Sequence, residues 1–325
     1  MNRFDLAAKL GSRALAGGID EDDIDIIIGW PLDELPLLFA AADHVRRARF
    51  GTSVSPCSIM NIKSGGCSED CAFCSQSAHN GSNVDITGLA EPEAIGGRLA
   101  AANNNGLPFC VVSSGRGMTR DEIALVCNAL KGREGEKHAS LGILDDECFA
   151  MLVDAGVVCY NHNLETSRSF FPKIVSTHTW DERVETIRRA KAVGIRVCSG
   201  GIFGVGENWE HRKEFALQLR ELDIDIVPIN FFNPIDGTRA APPKETPLEF
   251  LKIVSLLRLV MPERTIKVCG GREKHLGSLQ SLIFLAGANG YISGGYLTSG
   301  GAGLGADDIL INNLGLTRTK SEKSY

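Results

Sequence analysis

The chain has 325 residues, 43% hydrophobic and 23% charged, which is enough for one large α/β domain with a substantial core. Its formal net charge of −6 gives no basic footprint, arguing against nucleic acid or an anionic membrane as partner. No apolar run reaches bilayer-spanning length and the start, MNRFDLAAKLGSRALAGG, lacks the apolar centre of a secretory signal, so a cytoplasmic protein is expected.

Residues 1–50, including PLDELPLLFAAADHVRRARF, predict a helical extension packed on the outside of the main domain. From residue 51 short apolar runs alternate with helical patterns, the mark of parallel strands joined by helical crossovers. The strand candidates are CSIMNIK (57–63), FCVVSS (109–114), KHASLGI (137–143), VVCYNHN (157–163), IRVCSGG (195–201), DIVPIN (225–230), TIKVCGG (265–271) and GYISGG (290–295). Helical segments separate them, among them TRDEIALVCNALKGR, TWDERVETIRRAKAVG, TPLEFLKIVSLLRLVMP and KHLGSLQSLIFLAGANG, and GADDILINNLGL supplies an eighth. The pattern predicts a (β/α)8 TIM-type barrel over 51–315. A doubly wound sheet would want a G-x-G-x-x-G after the first strand, and none is there. Residues 316–325 predict a polar, frayed tail.

Ten cysteines in a reduced compartment point to metal, catalytic or core use and not to disulfides. Three fall in SGGCSEDCAFCSQSAHN, as Cys67, Cys71 and Cys74, in the loop after the first strand, at the barrel end where such enzymes place their chemistry. A closed zinc site needs a fourth ligand, usually from a second C-x2-C knuckle, which is missing. Three thiolates can instead hold three irons of a cubane cluster and leave the fourth open. A chance cluster of buried cysteines does not explain the polar setting or the aromatic Phe73 before the third cysteine.

C-x3-C-x2-C with that aromatic resembles the radical S-adenosylmethionine enzymes. YNHNLETS (160–167), GIRVCSGGIFGVGE (194–207), VPINFFNPIDGT (227–238) and GGRE (270–273) extend the resemblance to the biotin synthase family. It implies a 4Fe-4S cluster on the three loop cysteines, whose open iron takes S-adenosylmethionine and yields a 5'-deoxyadenosyl radical. It further implies sulfur insertion into dethiobiotin, with sulfur from a second, auxiliary cluster of 2Fe-2S type or larger. Carried over residue by residue, Asn163, Glu165 and Arg183 bind S-adenosylmethionine, Phe73 meets its adenine, and Lys63, Asn161, Asn163 and Asn230 line the dethiobiotin site. Arg183 reads equally as a solvated helix residue. A flavodoxin- or ferredoxin-type donor is the implied electron source; a homodimer is left open, since no motif signals one.

Strand parity agrees with part of this. Cys159, Asn161, Asn163 and Glu165 share one face if the strand runs that far, and polar groups on an inward face need partners; a loop cap is the alternative. The auxiliary ligands of the family match here as Cys110, Cys198 and Arg272, while His138 stands where a further cysteine is expected. Cys57 and Cys269 are added cysteines. Cys57, six residues before Lys63, is expected on the same face roughly 20 Å deeper. Cys57, Cys110, Cys198 and Cys269 are therefore expected to form an altered four-thiolate set, with packing as small hydrophobes as the competing explanation. Gly200 and Gly201 are expected to let backbone approach the cofactor. Sibling radical enzymes of the hydrogenase-maturase or methylornithine-synthase type, and a non-enzymatic iron-sulfur scaffold, are the alternatives; the inward cysteines and Asn-rich segments favour sulfur insertion.

Overall fold

Helix starts are written plainly into this chain: Thr119, Thr179 and Thr246 each accept from the backbone of a glutamate three residues on, whose carboxylate returns the bond. Such capping boxes satisfy two orphan donors at once. In the computed structural model, which describes residues 2–293 and 303–319, they open α5 (Arg120–Leu130), α7 (Trp180–Ala192) and α9 (Pro247–Val260). Before the barrel come α1 (Arg3–Leu15), α2 (Glu21–Ile28) and α3 (Leu35–Phe50).

The strands are β1 (Ser53–Lys63), β2 (Phe109–Ser113), β3 (Lys137–Ser140), β4 (Val157–Asn161), β5 (Arg196–Cys198), β6 (Gly201–Phe203), β7 (Ile226–Phe231), β8 (Thr265–Val268) and β9 (Gly290–Ile292). Helices α4 (Pro92–Asn104), α6 (Asp146–Asp154) and α8 (Trp209–Glu221) complete the early crossovers. All pairings are parallel, and β1 pairs with both β2 and β9, closing the barrel. β5 and β6 are one barrel strand interrupted at Ser199–Gly200, so eight positions result from nine segments. This is the expected (β/α)8 barrel.

Two departures matter. The segment expected as one helix after β8 is broken into α10 (Arg272–Leu276) and α11 (Leu282–Leu285) with a 3-10 turn between, as its glycine at 277 adopts a left-handed φ of 50°. The final crossover α12 (Leu304–Asn313) is as expected, but Thr317–Arg318 then add a short strand, β10, beside Ser53 and Val54, so the tail does not fray at residue 316. Residues 294–295 of the last strand candidate and 320–325 lie outside the described residues. The apolar core lies between barrel and helices; α1, α2 and α3 cover the outer face of α9.

Candidate active site

The loop after β1 begins with Gly65 and Gly66 at φ of 70° and 59°, a left-handed turn that glycine allows cheaply. The cysteine-bearing segment is then fastened from three sides. The Asn80 amide donates to the carbonyls of Cys71 (3.0 Å) and Cys74 (2.8 Å). Arg239, beyond β7, bonds Asn80 (2.9 Å) and Ala72. Asp70 accepts from the backbone N–H groups of Ser176 (2.8 Å) and Thr177 (3.2 Å) and from the Ser176 hydroxyl. Burial opposes ionisation of Asp70, but these bonds outweigh it and hold the carboxyl far below its usual range. Burial pushes the Cys71 thiol up to about 12 and Cys74 upward as well. Thiols so placed become thiolates only against a strong cation, which is what iron supplies.

Above the barrel mouth is an upper cavity of about 190 Å³, lined by all three loop cysteines with Phe73, Asn161, Asn163, Glu165, His178 and Arg183. β4 stops at Asn161, and the chain turns so that Glu165 takes a φ of 69° and bridges Gly201. One carboxylate oxygen of Glu165, Oε2, is sealed from the surface without a partner, and burial raises its pKa. An orphan acceptor facing a cavity fits a ligand hydroxyl. Arg183 donates to the Asn163 carbonyl (2.7 Å) and to His178 Nε2 (2.9 Å). It is a cavity residue and not a solvated one.

Below lies a second, lower cavity of about 80 Å³, lined by Cys57, His138, Asn161, Asn163, Cys198, Asn230, Lys267 and Cys269. Cys110 and Cys159 do not line this cavity, but strand register puts them beside residues that do: Cys110 beside Ile59 and His138, and Cys159 beside His138. Asn161 is beside Cys198 and Cys57 beside Ile292. Cys110 is fully buried and accepts from the Asn161 amide (3.5 Å); Cys159 packs with Cys198 and Ile226. His138 pairs with Glu136 (2.9 Å), which in turn holds Arg196 (2.6 Å).

Lys267, absent from the sequence-derived site, is 4% exposed and its ammonium has no hydrogen-bond acceptor among the described residues. Burial works against its charge, yet the thiols of Cys57, Cys198 and Cys269 raise its pKa on balance. In turn burial raises the Cys57 thiol, but Lys267 and His138 outweigh it and bring it down. The signal was in TIKVCGG: a lysine two residues before Cys269 shares its face. Asp70, Glu69, His178 and Asn80 were missed too; the Glu-Asp pair between cysteines was their only trace.

Some expected residues are elsewhere. β1 takes an extra residue between Asn61, beside Val112, and Lys63, beside Ser113. That bulge turns Lys63 to the helix layer, where it bonds Glu122 (2.7 Å), so it does not share the face of Cys57. Arg272 lines neither cavity: it is buried against Asp307 of α12 at 2.6 Å. Gly200 and Gly201 also line neither; a Cβ there would come 2.0 Å from the Pro228 carbonyl or 2.2 Å from that of Glu165, so the close approach is to the barrel's own backbone. Asn230 bonds the Gly201 carbonyl (3.3 Å) and the Gly270 N–H (3.0 Å) and still edges the lower cavity. A side groove of about 260 Å³ joins both cavities through Asn163 and is walled by Phe231, Phe232, Ile202 and Ile235. Among the described residues no three His, Cys, Asp or Glu side chains converge where they could share one ion. A cluster makes a different demand, one thiolate per iron.

Residues 61–219 match the family model described as the Radical SAM superfamily, and the cysteine loop on a parallel barrel is that class of enzyme. Residues 228–317 match the Biotin and Thiamin Synthesis associated domain. The chain is 46% identical over 317 residues to biotin synthase of Geobacter sulfurreducens, covering 95% of this chain and 96% of that one. It is 47% identical over 290 residues to biotin synthase of Pelobacter propionicus, covering 87% and 88%. The chain belongs to the biotin synthase family. In fold it is similar to methylornithine synthase (TM-score 0.81, 22% identity, 95% of this chain and 97% of that one). It is also similar to the FeFe-hydrogenase maturase from Carboxydothermus hydrogenoformans (0.78, 15%, 97% and 80%). At such identities the likeness concerns the fold alone.

Proposed function

We propose that the protein inserts sulfur into dethiobiotin to form biotin, with the two cavities dividing the work. Cys67, Cys71 and Cys74 would hold the 4Fe-4S cluster, and S-adenosylmethionine would lie in the upper cavity against Phe73, Asn163, Glu165 and Arg183. Cys57, Cys110, Cys198 and Cys269 would hold the auxiliary cluster, with His138 and Lys267 beside it. When bound, these groups supply the 5'-deoxyadenosyl radical and the sulfur.

The observation that carries this reading is the shared wall: Asn161 and Asn163 line both the loop-thiol cavity and the strand-thiol cavity. A substrate between them would touch both. Amide donors and acceptors suit a cyclic urea, and the apolar side groove suits an aliphatic tail. Lys63 and Arg272 stay outside the assignment because Glu122 and Asp307 already engage them. Electrons would come from a flavodoxin- or ferredoxin-type donor in the cytoplasm. The test is anaerobic reconstitution with iron and sulfide, then dithionite, S-adenosylmethionine and dethiobiotin. Both 5'-deoxyadenosine and biotin are expected; deoxyadenosine alone would assign the chain to a sibling reaction, and neither product would sink the catalytic reading.

A further inference from the structure

Arg183 is a cavity-wall cation with five N–H donors and no acceptor. Two of its nitrogens are anchored, Nη1 on the Asn163 carbonyl at 2.7 Å and Nε on His178 Nε2 at 2.9 Å. Because a guanidinium can only donate, His178 Nε2 must be unprotonated. The ring proton is therefore on Nδ1, which faces the Glu69 carboxylate. Glu69 sits between Cys67 and Cys71 in the cluster loop, and its Oε2 is also held by the Thr177 hydroxyl at 2.7 Å. His178 itself is buried, with its ring edge-on to Phe171 at 5.5 Å. The result is one continuous line: cluster loop, Glu69, His178, Arg183, Asn163.

We propose that His178 is a positioning residue for S-adenosylmethionine, a neutral imidazole of fixed tautomer that ties Arg183 to the cysteine loop and holds its guanidinium at the wall of the upper cavity. Nothing in the family resemblance called for it, and it rests on the proposal that this cavity binds the cofactor. Without the imidazole, Arg183 keeps one anchor and loses its tie to the Glu69 carboxylate of the cysteine loop. A fixed guanidinium presents its remaining donors to a ligand carboxylate or hydroxyl at little entropic cost; a swinging one does not.

The test uses the reconstituted protein and reads the Kd for S-adenosylmethionine by equilibrium dialysis, with iron and sulfide content measured on each sample. His178→Phe fills the space without hydrogen bonding. His178→Gln keeps a donor and an acceptor about as far apart as the two ring nitrogens. With iron content unchanged, His178→Phe should weaken binding roughly tenfold to a hundredfold, as expected for a lost bond to a charged group, and His178→Gln should recover to within about threefold of the parent. In an Arg183→Met background His178→Phe should add nothing, since one residue acts through the other. Unchanged Kd in His178→Phe, additive losses in the double variant, or iron loss in both His178 variants would each overturn the proposal. A parent protein that fails to bind S-adenosylmethionine would instead refute the reading beneath it, and a parent that binds it without making biotin leaves the Kd ratios fully readable.

Discussion

A barrel interior that holds several cysteines at adjoining levels faces an electrostatic problem, because thiolates are costly to bury. Lys267 is the cation that answers it, and Gly290 makes its room: a Cβ there would meet the lysine stem at 3.3 Å. Lys267→Met keeps most of that volume and removes the charge. Its expected outcome is loss of iron and sulfide from the auxiliary site while the loop cluster persists, checked by metal and sulfide analysis with the visible spectrum. Cys269→Ala should do the same, and unchanged counts in either variant would take that residue off the site. At this scale the sequence was informative where spacing is local. The three loop cysteines follow β1 as the motif has them, whereas β4 ends at Asn161, so a turn and not strand parity brings Asn163 and Glu165 to the same cavity. Lys63 escaped because one inserted residue reverses a strand's faces. Arg272 escaped because its partner, Asp307, is 35 residues away on another helix, and linear spacing has no access to such a pairing.

Among elements, the interrupted fifth strand does most to shape the mouth. Its break lets the Pro228 carbonyl approach Gly200, and the Gly200 N–H reaches the Asn163 amide at 3.3 Å. Gly200→Ala would put a Cβ 2.0 Å from that carbonyl, a backbone clash no side-chain rotation relieves. It should cost about 3 kcal/mol or more, read as a lower urea midpoint. Gly97→Ala is the control of opposite sign. Gly97 lies exposed in the middle of α4 with nothing within 4 Å of its would-be Cβ, so alanine there should raise stability by roughly 0.5–1 kcal/mol. Gly200 losing no stability would mean that the strand can close over the break. The element order itself was legible, since short apolar runs and helical patterns alternate through the barrel. The break in the fifth strand was not, because SGG is as consistent with a loop end as with a strand that bends mid-course.

At the scale of the whole molecule the question is whether residues 1–50 form a unit of their own. α9 answers it. Every residue from Phe250 to Val260 is buried, and a helix buried all round needs cover on all sides. β8 lies on one side, and α1, α2 and α3 supply the outer cover. Polar ties fix this arrangement: the Lys252 ammonium bonds the Ile28 and Trp30 carbonyls, Arg46 reaches the Phe284 carbonyl at 3.1 Å, and Arg258 bonds Gly287 and Asn289 at 2.7 and 2.6 Å. Burial brings Arg258 down to about 9, and its bonds to carbonyls give the charge a setting that water would otherwise provide. We therefore propose that the extension and the barrel unfold as one cooperative unit. Trp30 reports on the extension and Trp209 on the barrel, so variants retaining one tryptophan each should give coincident fluorescence transitions in urea. Deleting residues 2–50 should leave the face of α9 bare and yield an aggregating chain. Two separated transitions, or a soluble and cooperatively folding truncated barrel, would show instead that α9 can be covered from within.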